Sequence, residues 1–305
     1  MAIEPTPSAF SAERFLTDLE QACKALNVPY SEAATRQVLS TFHTSFHRGS
    51  VLWRTTDQPD GALNYRVYER QSVDMVSVAR KAGLMPKEST LGDLIQSWAN
   101  LYGEESQQLA DFDSAKGLVK FWVFLGGVRP LSDLLNIPGV PNAIKTRQKQ
   151  FESLGLTGVR HTAVDLEKNS MNIYFRTPGG LTRDLANQYL ALAGADSVSD
   201  ILWSDIRRNF PSSGGTFAVT MDFTTGKISR VAFYALRLHE DDMPAFNDRI
   251  QTFFDVCPSY DTEEMKASAW SFGKGNKSYV KAEHSHSGEL VQMLKEWRTT
   301  MSAKQ

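Results

Sequence analysis

The sequence predicts an α+β fold in which a closed, mainly antiparallel β-barrel of ten strands is surrounded by a ring of α-helices. Three observations predict it. Strand-like alternation flanks a turn signal five times, helical patterns fill the intervals, and the turn centres recur roughly every 50–58 residues. The repeating unit is α-α-β-β, a repeat of supersecondary structure rather than of residues. No boundary has the composition of a linker, so residues 1–305 are read as one domain.

Helical patterns over residues 12–26 and 31–46 lead into the first hairpin, VLWRTT and ALNYRVYER about Asp57–Gly61. Residues 72–83 and 90–100 lead into the second, which ends in GLVKFWVFLGG after a turn near Asp113–Gly117; its first strand is weakly patterned. Segments 131–136 and 141–154 precede GVRHTAVDL and SMNIYFR, which turn at Glu167–Asn169. Segments 182–193 and 198–209 precede TFAVTMDF and KISRVAFYAL, which turn at Thr225–Gly226. A helix at about 242–255 precedes KASAWSF and SYVKAEHS, which turn at Gly273–Asn276, and 287–300 closes the chain. The glycine-rich FGKGNKS lacks P-loop spacing and lies between two strands, so it is read as a hairpin turn.

Composition bounds the function. At 305 residues, 41% hydrophobic and 22% charged, the chain can bury a large core and is neither disordered nor collagenous. Lys plus Arg number 33 against 35 Asp plus Glu, a net charge of -2, so the basic excess of a nucleic-acid or acidic-membrane binder is missing. Any strong anion site must be local. Cys23 and Cys257 do not make a disulfide framework, and no Cys/His pair has zinc spacing. Without a signal pattern or an 18-residue apolar stretch, the expectation is a soluble cytoplasmic protein with no membrane or nucleic-acid partner, and the closed architecture permits a monomer.

Strand parity carries the functional argument, because side chains alternate faces with period 2. Val119, Phe121, Val123 and Leu125 oppose Lys120, Trp122 and Phe124. Met171, Ile173 and Phe175 oppose Asn172, Tyr174 and Arg176. Val231, Phe233 and Ala235 oppose Arg230 and Tyr234, and Val280 and Ala282 oppose Tyr279, Lys281 and Glu283. Asn64, Arg66 and Tyr68 share a face of the first hairpin. One side is aliphatic and belongs under the helices. The other mixes cations with large rings, which a solvated face seldom carries together. In a closed sheet that side is a lumen, and unpaired cations converging there call for a multiply charged anion. An anion clamp with aromatic walls suits a prenyl diphosphate and a flat aromatic acceptor. A noncatalytic barrel for an amphipathic aromatic ligand is the alternative; it would pattern similarly, with Glu283 a mere ion partner of Lys281. Lumen cations without partner carboxylates would discriminate against it.

The segments LWRTTDQP, LNYRVYER, KFWVFLGGVRP, VRHTAVD followed by MNIYFR, TTGKISRVAFYAL and WSFGKGNKSYVKAE resemble the ABBA aromatic prenyltransferases over about residues 12–297. The similarity is nearest to the members that prenylate phenolic precursors of aminocoumarins. The resemblance implies transfer of a dimethylallyl group to a hydroxylated aromatic ring, of phenol or naphthol type. It also implies roles. Arg54, Arg66, Lys120, Arg230 and Lys281 match diphosphate-binding residues, with Asn172 and Tyr174 as polar contacts. Lys168, next to a turn, falls where some members have a diphosphate lysine. Glu283 matches the carboxylate that contacts the phenolic acceptor and is the catalytic candidate; Arg160 matches a cavity position, and Trp122 and Tyr234 are expected walls.

Magnesium-dependent members carry Asp at the position of Asn64 and Ser at that of Arg66. Asn64 lacks the charge a hard cation favours, and Arg66 can neutralise diphosphate itself. The expectation is activity with no metal and no cofactor. There is no DDxxD; Asp241–Asp242 is read as an isolated pair at a helix start. His284 and His286 are read as surface or rim, and Cys257 as packed.

Overall fold

The structure, a computed structural model, describes residues 9–299. The ends of the expected domain, and Thr300 at the end of the expected closing helix, lie outside the described residues. Helix α1 (Ala12–Leu26) starts where the Ser11 hydroxyl accepts from the Arg14 amide, and it ends on Asn27 in the left-handed conformation (φ 53°). The pattern read as one helix over 31–46 divides at Phe42 into α2 (Glu32–Thr41) and α3 (His43–Arg48). The first hairpin is β1 (Ser50–Thr56) and β2 (Asn64–Tyr68). Helices α4 (Met75–Lys81) and α5 (Thr90–Tyr102) precede β3 (Gln107–Asp113) and β4 (Gly117–Pro130). Short helices α6 (Leu131–Leu135), α7 (Asn142–Lys145) and α8 (Gln148–Glu152) precede β5 (Gly158–Asp165) and β6 (Ser170–Arg176). Helices α9 (Arg183–Ala191) and α10 (Asp200–Asn209) precede β7 (Thr216–Asp222) and β8 (Ile228–Ala235). Helix α11 (Asp248–Val256) precedes β9 (Lys266–Gly273) and β10 (Ser278–Ser287), and α12 (Leu290–Glu296) follows. Asn247 caps α11; Asp241 and Asp242 lie earlier, in a 3-10 turn, and do not start the helix.

Consecutive strands pair antiparallel all the way round, and β1 pairs with β10 to close the barrel. Closure leaves no unpaired sheet edge and gives every strand an inside and an outside. The outside is the apolar face: Val51, Trp53, Phe121, Val123, Ile173, Phe175 and Phe233 are buried beneath the helices in one core. His284 and His286 also point this way. Both are buried, His284 edge-on to Phe254 and His286 within 3.4 Å of Asp18, so neither is at the surface or rim. A one-residue parity difference from Glu283 and Ser285 puts them there, under helices rather than in solvent.

A second apolar cluster lies inside the barrel, with Leu52, Tyr68, Leu109, Trp122, Phe124, Tyr174 and Tyr234 on its strands. Helix α12 joins it through Leu290, Val291, Met293 and Leu294, and so plugs one end of the lumen. Trp297 completes the plug by stacking on Phe124 at 4.1 Å with 7° between planes. The hairpin-turn end stays open. No helix among the described residues is long and apolar enough to cross a membrane.

Candidate active site

The lumen divides into two chambers of opposite character. At the open end, a chamber of about 1310 Å³ (including solvent in its mouth) is lined by Arg54, Lys120, Arg230 and Lys281, with Asn64, Tyr279, Asp113 and Asp165 among its other walls. Beyond it, toward α12, a narrower chamber (about 530 Å³ with open solvent included) is lined by Trp122, Tyr174, Tyr234, Tyr68, Met265, Leu236 and Leu294, and by Arg66, His161 and Glu283. The apolar lining fits a small-molecule site with a few orienting polar groups.

Register explains the grouping. On β2, β3 and β4, Arg66, Asp111 and Lys120 are direct neighbours across the ladder. Arg54 of β1 faces Glu283 of β10. Asn172, Thr220 and Arg230 form a similar row on β6, β7 and β8. Short side-chain-in rows across a barrel wall thus bring residues distant in sequence into one cavity.

One expectation fails here. The cations are not all unpaired, because Asp111 binds two of them. Arg66 donates to both Asp111 oxygens (2.5 and 3.2 Å), and Arg54 donates to Oδ2 at 2.8 Å. Burial opposes ionisation of Asp111, but Arg66 and Arg54 outweigh it and hold the carboxyl down at about 2. Arg66 also donates to the Tyr68 hydroxyl (2.9 Å), lies 4.0 Å from the centroid of Trp122 and approaches Glu283 at 3.5 Å. Glu283 is therefore the ion partner of Arg66, not of Lys281.

The remaining cations have only neutral hydrogen-bond partners. Lys120 donates to Asn172 Oδ1 (3.2 Å) and to the Tyr174 hydroxyl (3.5 Å), and Lys281 donates to the Tyr234 hydroxyl (3.1 Å). Arg230 donates to Tyr279 (2.6 Å) and Thr220 (3.0 Å). Burial brings the Lys120 ammonium down to about 7 despite the nearby Asp111. Burial, together with Arg230, Arg54 and Lys120, brings Lys281 well below its ordinary value. Such a cluster gains from an entering polyanion, which restores the charged form of both amines.

Asn172 is buried, borders neither chamber, and besides accepting from Lys120 donates to Thr220 (2.7 Å). Lys168 is an exposed side chain at the mouth. Arg160 borders neither chamber. It sits at a bulge in β5, next to His161, and binds the Trp297 carbonyl and the Thr299 hydroxyl (3.0 Å). It thus tethers the plug, and Thr299 rather than Arg160 reaches the aromatic chamber. Sequence reasoning missed Asp111 and His161. Among the described residues no group of three or more His, Cys, Asp or Glu side chains has the arrangement of a metal site.

Comparison with known proteins places this geometry. The profile of the family described as aromatic prenyltransferase Orf2 matches residues 10–298. A Sclerotinia sclerotiorum protein named aromatic prenyltransferase is 47% identical over 302 residues, covering 97% of each chain. A Streptomyces niveus protein named 4-hydroxyphenylpyruvate 3-dimethylallyltransferase is 38% identical, covering 96% of this chain and 90% of its own. Among solved structures, a 5-dimethylallyl tryptophan synthase from Streptomyces coelicolor, in complex with DMASPP and Trp, superposes with a TM-score of 0.54 at 12% identity, over 90% of this chain and 95% of that one.

Proposed function

The chain belongs to the Orf2-type aromatic prenyltransferase family, and from that premise we propose that it moves a dimethylallyl group from its diphosphate to a hydroxylated aromatic ring, of phenol or naphthol type, without a metal ion. As a family member it is an enzyme that transfers prenyl groups, so the noncatalytic alternative falls away. The observation that carries the finer reading is the contact between the two chambers: charged on one side, aromatic on the other, joined by the Lys281–Tyr234 and Lys120–Tyr174 hydrogen bonds. The five-carbon donor is supported by the name of the Streptomyces niveus relative and by the bulky Trp122, Tyr174 and Tyr234 that narrow the apolar side.

The chemistry follows from the residues. The C1–O bond of an allylic diphosphate ionises when the departing anion is stabilised by cations fixed in advance. Arg54, Arg66, Lys120, Arg230 and Lys281 fill that role, with Asn172 and Tyr174 holding Lys120 in place. Asp111 supplies the fixing for Arg54 and Arg66, so neither guanidinium must reorganise when charge moves. The two arginines also engage the Asp111 carboxylate on both oxygens, and the neutral Asn64 stands nearby, so this wall offers little to a hard cation.

Trp122, Tyr174 and Tyr234 shield the allyl cation from water and attract it by about 0.5–2 kcal/mol per ring. An electron-rich ring carbon about 3–3.5 Å from C1 then attacks. Glu283 accepts a hydrogen bond from the acceptor hydroxyl and raises the electron density of the ring; loss of the ring proton restores aromaticity. Arg160 contributes at one remove, by holding Trp297 and Thr299 over the acceptor end. A barrel closed by strands β1 and β10 of one chain permits a monomer, which is the state proposed.

The test is turnover of purified protein with dimethylallyl diphosphate and a phenol and naphthol panel in excess EDTA. A product heavier by one five-carbon prenyl unit is the expected result. Product formed only on adding magnesium, or no product from any hydroxylated ring, contradicts the reading.

A further inference from the structure

The aromatic chamber holds an imidazole that the reaction above leaves unused. His161 projects from β5, and Glu283 from β10. In the closed order of ten strands these two stand five places apart, on opposite walls of the barrel. Both line the same chamber, and the side chains between them are mostly rings and aliphatics.

The His161 ring packs against Phe124 (5.2 Å between centroids) and edge-on to Tyr174 (6.3 Å), yet neither ring nitrogen has a hydrogen-bond partner among the described residues. The other two histidines held by these strands are different: His284 reaches Glu264 and His286 reaches Ser287 and Asp18. His161 is half-buried and lines the chamber, so its nitrogens are open to a ligand placed there. Burial, with Arg160 and Arg66 nearby, keeps the imidazole well below its ordinary pKa and hence neutral, with one nitrogen that donates and one that accepts.

On the reading that an aromatic acceptor fills this chamber, we propose that His161 is its second polar anchor, facing Glu283, so that the site selects rings bearing hydrogen-bonding groups on two opposed edges. One hydroxyl is held by Glu283. The far group is a second hydroxyl, which can donate to or accept from the imidazole, or a carbonyl, which accepts from it. Held at both edges, the ring has one in-plane orientation toward the donor, whereas a ring held at Glu283 alone can pivot. His161 is thus a positioning and specificity residue, not a participant in bond making.

The experiment compares 2,6-dihydroxynaphthalene with 2-naphthol, which lacks the far hydroxyl. Each is titrated into wild-type protein, His161→Leu and His161→Gln, with the unreactive dimethylallyl thiolodiphosphate present. Wild-type protein is expected to bind the diol roughly tenfold more tightly, the size of one net buried hydrogen bond. His161→Leu removes the gap by weakening the diol alone, and His161→Gln, which keeps a donor and an acceptor, restores most of it. The unchanged affinity for 2-naphthol reports that the variants are folded. A gap that persists in His161→Leu, equal weakening of both naphthols, or no gap in the wild type overturns the anchor. Turnover of the same naphthols with dimethylallyl diphosphate is read separately. A binding gap with no prenylated product upholds the anchor and counts instead against the substrate reading it rests on.

Discussion

Lys281 donates a hydrogen bond to the Tyr234 hydroxyl across 3.1 Å, and that bond crosses from the charged chamber to the aromatic one. Lys120 and Tyr174 repeat the arrangement at 3.5 Å. In both pairs a buried amine hydrogen-bonds only neutral groups, which leaves it able to take an entering anion as its counter-charge. The proposed leaving group and the proposed acceptor pocket are therefore in contact through two phenols.

Donor binding should depend on pH with a definite sign. Burial brings Lys120 down to about 7, and a bound diphosphate would raise it again. Below that value the amine already carries its proton; above it, binding must take one up, so affinity falls as pH rises. The expected outcome is a donor KM that climbs between about pH 7 and pH 9. Lys120→Arg, which keeps its charge over this range, should show a shallower climb. A wild-type profile as flat as that of the variant would contradict the assignment.

Arg66→Ala removes a fixed guanidinium from the junction of the chambers. Loss of one preorganised group that stabilises developing charge typically costs about 100-fold or more in kcat. Steady-state kinetics on purified variant should show a loss of this order, and an unaltered rate would remove Arg66 from the reaction.

Asp111→Asn should act on stability as well as on turnover. It leaves Arg54 and Arg66 without their shared carboxylate, and breaking a buried ion pair from one side typically destabilises by about 3–5 kcal/mol. The folded-state pKa of Asp111 is depressed, so its contribution is present above the unfolded value and is lost as pH falls from about 4 to about 2. Urea unfolding at neutral pH and across that acid window would read both effects. A variant as stable as wild type at neutral pH would mean the two arginines do not depend on it.

Glu283→Gln keeps the shape and the neutral hydrogen bonding but loses the charge. Turnover with phenolic acceptors should fall more than donor affinity does. Equal activity in the variant would remove the role proposed for Glu283 on the acceptor hydroxyl.

Most of the barrel was legible because period-2 alternation is strongest where one face is aliphatic, as in Met171, Ile173 and Phe175 against Asn172 and Tyr174. The weak first strand of the second hairpin and the missed Asp111 have one cause. In β3 the sequence QQLADFD places polar residues on both faces, with Gln108 outward and Asp111 and Asp113 inward, so the apolar stripe that marks a strand is interrupted. A buried acid that serves two arginines looks like any surface acid until its neighbours are known. Arg160 and His161 were hard to place for a different reason. The register shift between Val159 and His161 breaks strict alternation, and nothing in the residue pattern announces it. The resemblance marked Arg160 as a cavity position, but the segment after α12 that engages Arg160 comes from the far end of the chain.

Calorimetric titration of dimethylallyl thiolodiphosphate in excess EDTA tests the central claim most directly, using wild-type protein and the Arg66→Ala/Lys281→Ala double variant. Tight binding by the wild type that is reduced by two orders of magnitude or more in the double variant, about the effect of losing two charge-assisted contacts, is the predicted result. Binding that requires magnesium, or that survives the loss of both cations unchanged, would contradict a diphosphate seat built from the lumen's own charges.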